Sequence, residues 1–151
     1  MQVTSLQVEA HVPTITRFEE IEAWQSARQL TQRIYALSSQ GAFARDFGLR
    51  DQMRRASVSV MSNIAEGFES RTQGLFVEFL GRAKGSAGKL RAQLYAGLDA
   101  GYIEQALFHE LTQLAELCSR QIARFMQYLS NAGAERRLRE EYTEYQLPDA
   151  D

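Results

Sequence analysis

Long apolar runs are missing from this sequence. No stretch approaches the ~18 residues that a membrane-spanning helix needs, and residues 1–15 lack the charged start and continuous apolar centre of a secretory leader. The expected address is the cytoplasm, with no membrane partner. A single cysteine, Cys118, excludes an internal disulfide framework and fits a reducing compartment. Only two prolines stand in 151 residues, so long helices can run uninterrupted. Two histidines, His11 and His109, leave little for metal binding or proton transfer. Neither sign of charge dominates: a formal net charge of -2 gives no global pull toward nucleic acid or an anionic surface.

What is present is helical. The chain is 44% hydrophobic and 24% charged, a globular balance, and long enough for one domain with a real core. Residues 1–15 show no helical period and read as an N-terminal arm. Thr16-Arg17-Phe18-Glu19 has the spelling of a capping box. From there Ile21, Trp24, Ala27, Leu30, Ile34 and Leu37 step by threes and fours, the stripe of a first helix that Ser38-Ser39-Gln40-Gly41 ends. A second helix is expected from Gly48-Leu49 to Gly67, with Gly67 as its C′ residue. Its row Leu49, Met53, Ala56, Val60 and Ile64 is flanked by Val58, Met61, Ala65 and Phe68. Together they span roughly 200°, about twice one buried face, so this helix is either central or touches another subunit.

Ser70-Arg71-Thr72-Gln73 can cap a third helix running to about Ala100, before Gly101. Its core row is Phe76, Phe79, Leu80, Ala83, Ala87, Leu90 and Leu94. Another strip carries Gly81, Gly85, Gly88 and Ala92. Glycine inside a helix costs up to ~1 kcal/mol relative to alanine, so the strip points to close backbone approach by a neighbouring helix, with drift at a tolerant surface as the alternative. A fourth helix is read from about Ile103 to Leu129 through Leu107, Leu111, Leu114, Cys118, Ile122 and Phe125. Residues 131–151 form a polar, acidic C-terminal tail, in which Leu138, Tyr142 and Tyr145 are spaced for a short amphipathic extension. Four long amphipathic helices with short connections predict an all-α, up-down-up-down antiparallel four-helix bundle over residues 16–130.

The run Arg54-Arg55-Ala56-Ser57-Val58-Ser59-Val60-Met61-Ser62-Asn63-Ile64-Ala65-Glu66-Gly67-Phe68 resembles the signature of the bacterial four-helix-bundle family of 23S rRNA-intervening-sequence proteins. Phe18-Glu19-Glu20-Ile21, Ala23-Trp24-Gln25, Phe79-Leu80, Gly85-Ser86, Gln93-Leu94 and Gly101-Tyr102-Ile103 follow the same pattern in order, over roughly residues 17–129. The resemblance implies a cytosolic all-α subunit that assembles into a ring, typically a homopentamer, with no established enzymatic activity. A related branch, the accessory variability determinant proteins of diversity-generating retroelements, consists of basic pentameric barrels that bind nucleic acid. Met61 stands where the family usually has proline, Leu75 replaces a common acidic residue, and Lys89 and Arg91 reverse local charge.

Catalytic chemistry finds little footing. A di-iron bundle site needs Glu-x-x-His, and the residue three before His109 is Ala106, so no metal or cofactor is expected. Cys118 lies at a core position. Ser57, Ser59 and Ser62 have no histidine near in sequence. Asn63 and Glu66 can share a helix face as a polar site, or satisfy backbone groups in a turn at Gly67. Charge is the remaining signal. Residues 44–91 hold nine basic and five acidic side chains, a net of +4, which leaves -6 on the rest of the chain. Arg50, Arg54, Lys84 and Arg91 are the candidates for RNA or DNA contact, and Val58, Met61, Ala65, Gly81, Gly85 and Gly88 for an interface between copies. No aromatic is interleaved with the basic residues of the third helix, so a solvated or intersubunit charge pattern explains them too. The reading is a non-catalytic homo-oligomer with a nucleic-acid surface; the alternative is a protein-binding adaptor without one.

Overall fold

A computed structural model describes residues 15–145, with side chains described over 15–133. The residues described are helical almost throughout. A single 3₁₀ turn, Phe18–Glu20, leads into α1 (Glu22–Ser38), a short α2 (Gly41–Arg45), α3 (Phe47–Glu69), α4 (Gln73–Asp99) and α5 (Gln105–Tyr145). The first fourteen residues of the arm expected over residues 1–15 and the last six residues of the expected tail lie outside the described residues.

Two core clusters set the helix directions. The first joins Leu30 and Ile34 of α1, Met53 and Ala56 of α3, Leu90 and Leu94 of α4, and Phe108, Leu111 and Ala115 of α5. The second joins Ala23 and Ala27, Val60 and Ile64, Leu80, Ala83 and Ala87, and Cys118 and Ile122. Following the chain, α1 runs from the second cluster to the first, α3 returns, α4 repeats the direction of α1, and α5 returns again. Each long helix is therefore antiparallel to its two neighbours, in a square of α1, α3, α4 and α5.

The helix ends show why these segments start and stop where they do. Asp46 caps α3, its Oδ1 accepting from the Leu49 amide at 3.2 Å, and Thr72 caps α4 by accepting from the Leu75 amide at 3.2 Å. Gly101, at φ 80°, closes α4: its amide reaches the Leu98 carbonyl and the Tyr102 amide the Gly97 carbonyl, the paired bonds of a Schellman end.

Several expectations need correcting. Thr16 bonds Glu20 through both its amide and its hydroxyl, not Glu19, because the 3₁₀ turn intervenes before α1 begins. Helix α2 was not anticipated; five residues are too few to show a period. Gly67 is not a C′ residue, since α3 continues to Glu69 and Gly67 lies buried against α4. A Cβ there would stand 2.7 Å from a Phe76 ring carbon and 2.9 Å from the Phe79 Cβ. With no turn at Gly67, Asn63 instead donates to the Ser59 carbonyl and hydroxyl. α5 does not end near Leu129; residues 130–145 keep it going with alanine, arginine and glutamate, good helix formers.

Candidate nucleic-acid interface

The structure sorts the ten predicted site residues by face. Arg50, Arg54, Val58, Met61 and Ala65 lie on the α1 side of α3. Val58 shares a depression with Tyr35 of α1, and Met61 packs on the cluster that also holds Trp24 and Phe18. Lys84, Arg91, Gly81, Gly85 and Gly88 lie across the bundle on the α5 side of α4, where Gly81 faces Met126 and Arg91 meets Glu116. Each predicted set is thus divided between two opposite faces. The close approach expected along the glycine strip is not made within the chain, for a methyl group at Gly85 or Gly88 would meet nothing within 4 Å. The broad apolar arc of α3 is used instead by α1, α2, α4 and the 3₁₀ turn, which all pack on it.

The four basic candidates differ in what holds them. Arg91 pairs with Glu116 at 3.1 Å, and its Nε is buried without a partner among the described residues. Arg50 pairs with Asp51 at 2.9 Å and donates to the Ala44 carbonyl at the end of α2. Lys84 is exposed. Arg54 is held by neutral groups only. Its Nε donates to the buried Ser38 hydroxyl at 2.8 Å, its Nη2 to the Ser39 hydroxyl at 3.0 Å, and its guanidinium lies 4.6 Å from the Tyr35 ring centroid. Two of five N–H groups are used, and the positive charge is left uncancelled. Beside it Arg55 is exposed, and neither has a carboxylate within 4.0 Å among the described residues. Tyr35, Asp51, Arg54, Arg55, Val58 and Ser59 line an open depression of about 500 Å³ between α1 and α3.

Sequence reasoning missed the aromatics of this face. They come from α1 and the first turn of α3, not from between the basic residues of α4. Tyr35 precedes Arg54 by nineteen positions, so no local pattern could pair them; only the antiparallel packing of α1 on α3 does.

Elsewhere the chemistry is sparse. Ser57 and Ser62 donate to carbonyls of their own helix, and Ser59 shares a hydrogen bond with Ser86. His109 meets Gln113. Burial pushes the Cys118 thiol up to about 12, so it stays protonated near neutral pH. Among the described residues, no three His, Cys, Asp or Glu side chains are grouped to hold a metal ion, and no helix is long and apolar enough to cross a membrane. A groove of about 630 Å³ at the bundle end is walled by Phe68, Phe76, Phe125, Tyr128 and Leu129.

Fold and surface together define an all-α helical-bundle protein whose α1–α3 face carries arginines beside aromatic rings. Within that class, the chain belongs to the 23S rRNA-intervening sequence protein family, whose family model matches residues 19–124. It is also similar to a crystal structure of a protein of unknown function from the S23 ribosomal protein family of Bacteroides thetaiotaomicron VPI-5482. The TM-score is 0.65 at 15% identity, covering 70% of this chain and 95% of that one, a likeness of fold. No curated protein matches the chain.

Proposed function

We propose that this chain is a non-catalytic, self-assembling bundle subunit that binds RNA or DNA through its α1–α3 face. One observation carries the binding: Arg54 is fixed in place by two serine hydroxyls and a tyrosine ring, none of which neutralises it. A guanidinium ordered in advance loses little freedom on meeting a phosphate, and its remaining N–H groups suit a forked contact. Arg55 and Arg28 extend the same charge along the face. Of the four original candidates, Arg54 is the anchor; Arg50 and Arg91 serve mainly as internal ties.

Assembly is assigned to the opposite face. The Gly81, Gly85 and Gly88 strip of α4 offers a shallow surface that another helix can approach closely. The ring, of five subunits by family resemblance, would repeat the α1–α3 face on each protomer, so that weak phosphate contacts add through avidity. The test is light scattering on a size-exclusion column, with absorbance read at nucleic-acid and protein wavelengths at low and high salt. A multimer that sheds nucleic acid at high salt is expected. A monomer would overturn the assembly.

A further inference from the structure

Two rings on the α1–α3 face stand open: Phe47 is 62% exposed and Tyr35 42% exposed. Elsewhere several aromatics pair with one another, as Phe76 does with Phe68 and Phe125, and on α4 Phe79 carries Arg82 at 5.0 Å. Phe47 and Tyr35 each carry an arginine, with the Arg50 guanidinium carbon 4.7 Å from the Phe47 centroid and that of Arg54 4.6 Å from the Tyr35 centroid. Arg50 and Arg54 are four residues apart on α3, about 6 Å of helical rise, so the two arginines follow one another along the face. A third pair, Arg28 over Trp24 at 5.9 Å, continues it along α1.

We infer that this face takes single-stranded rather than duplex nucleic acid, with bases stacking on Tyr35 and Phe47 while Arg54 and Arg55 hold phosphates. The inference rests on the binding proposed above and adds the strandedness of the ligand. A duplex hides the faces of its bases and meets a protein through phosphates and base edges, for which the Phe47 ring has no hydrogen-bonding group. The α3 positions that follow Phe47 and Arg54 on this side, Val58, Met61 and Ala65, are apolar and lack the donors that read base edges in a groove. Single strands bare their π-faces, and rings set beside cations in a positive surface are the usual means of holding them without regard to sequence. A ring that stays part exposed beside an arginine is a platform for one base.

The test is fluorescence anisotropy of the full chain with end-labelled mixed-sequence 20-nucleotide DNA, the same sequence as RNA, and the matched DNA duplex, each across a salt series. The expected result is at least tenfold tighter binding of single strands than of the duplex. Tyr35→Ala with Phe47→Ala should weaken single-strand binding on the order of tenfold or more and weaken duplex binding, which feels only the loosening of Arg54, by much less. Phe47→Trp should retain binding, which separates ring chemistry from folding. Duplex binding as tight as single-strand binding, or a double variant that binds normally, would overturn the inference and leave the phosphate face standing. No binding of any of the three by the wild-type chain would instead remove the reading on which it rests. The DNA and RNA arms show which sugar is preferred.

Discussion

Gly67 and Gly85 look alike in the sequence, each a glycine within a long amphipathic helix, yet their surroundings differ. Gly67→Ala would drive a methyl group into Phe76 and Phe79, and Phe79 meets it with its own Cβ, which cannot swing away. The expected loss is about 1–3 kcal/mol, read as a lower midpoint in urea. Gly85→Ala places its methyl in open space and removes glycine's helix penalty. It should raise protomer stability by up to ~1 kcal/mol, whereas Gly85→Leu should weaken self-association at an unchanged helical signal. Cys118 carries a pH prediction. Its folded thiol titrates near 12 against an ordinary 9.0, so the unfolded chain loses the proton first. Stability is unaffected below about pH 9 and falls above it, by up to about 1.4 kcal/mol per pH unit, until pH nears 12. Denaturant midpoints at pH 7, 9 and 10.5 check the sign, and Cys118→Ala should flatten the decline above pH 9.

At the scale of elements, the caps join helices that the sequence leaves apart. Asp46 ends α2, caps α3, and accepts a hydrogen bond from the Tyr102 hydroxyl at 3.0 Å, beyond the end of α4. The bond to Asp46, then burial, then the carboxylate's charge together raise the Tyr102 phenol above its ordinary value. Asp46→Ala removes the cap and the link and should cost about 1–2 kcal/mol in a urea melt. Asp46→Asn, which keeps an accepting oxygen, should cost less. The long stripes were legible because Leu80, Ala83, Ala87, Leu90 and Leu94 repeat at the helical period and all end fully buried. The proposed binding face was not. Arg54 was singled out for its charge, but its partners Ser38, Ser39 and Tyr35 sit at the end of α1, with α2 in between, where the sequence shows only a helix stopping. Nor does periodicity on α4 reveal that Arg91 would be claimed by Glu116 of α5, twenty-five residues away.

For the whole molecule, antiparallel packing turns a nearly neutral composition into distinct faces. The α1–α3 side gathers Arg28, Arg54 and Arg55 with Tyr35 and Phe47, while the α4–α5 side carries the glycine strip and an arginine already paired. In the proposed function one side of each subunit serves a ligand and the other a second copy, a division a closed ring can use because its contacts need not involve every face. The most direct measurement is a salt titration of oligonucleotide binding for the wild-type chain, Arg54→Glu with Arg55→Glu, and Lys84→Glu, each checked for folding by circular dichroism. Loss of binding only in the arginine pair variant, with Lys84→Glu close to wild type, is the result expected of an α1–α3 face anchored by Arg54. Full binding by the folded arginine variant, or loss only on changing Lys84, would contradict it.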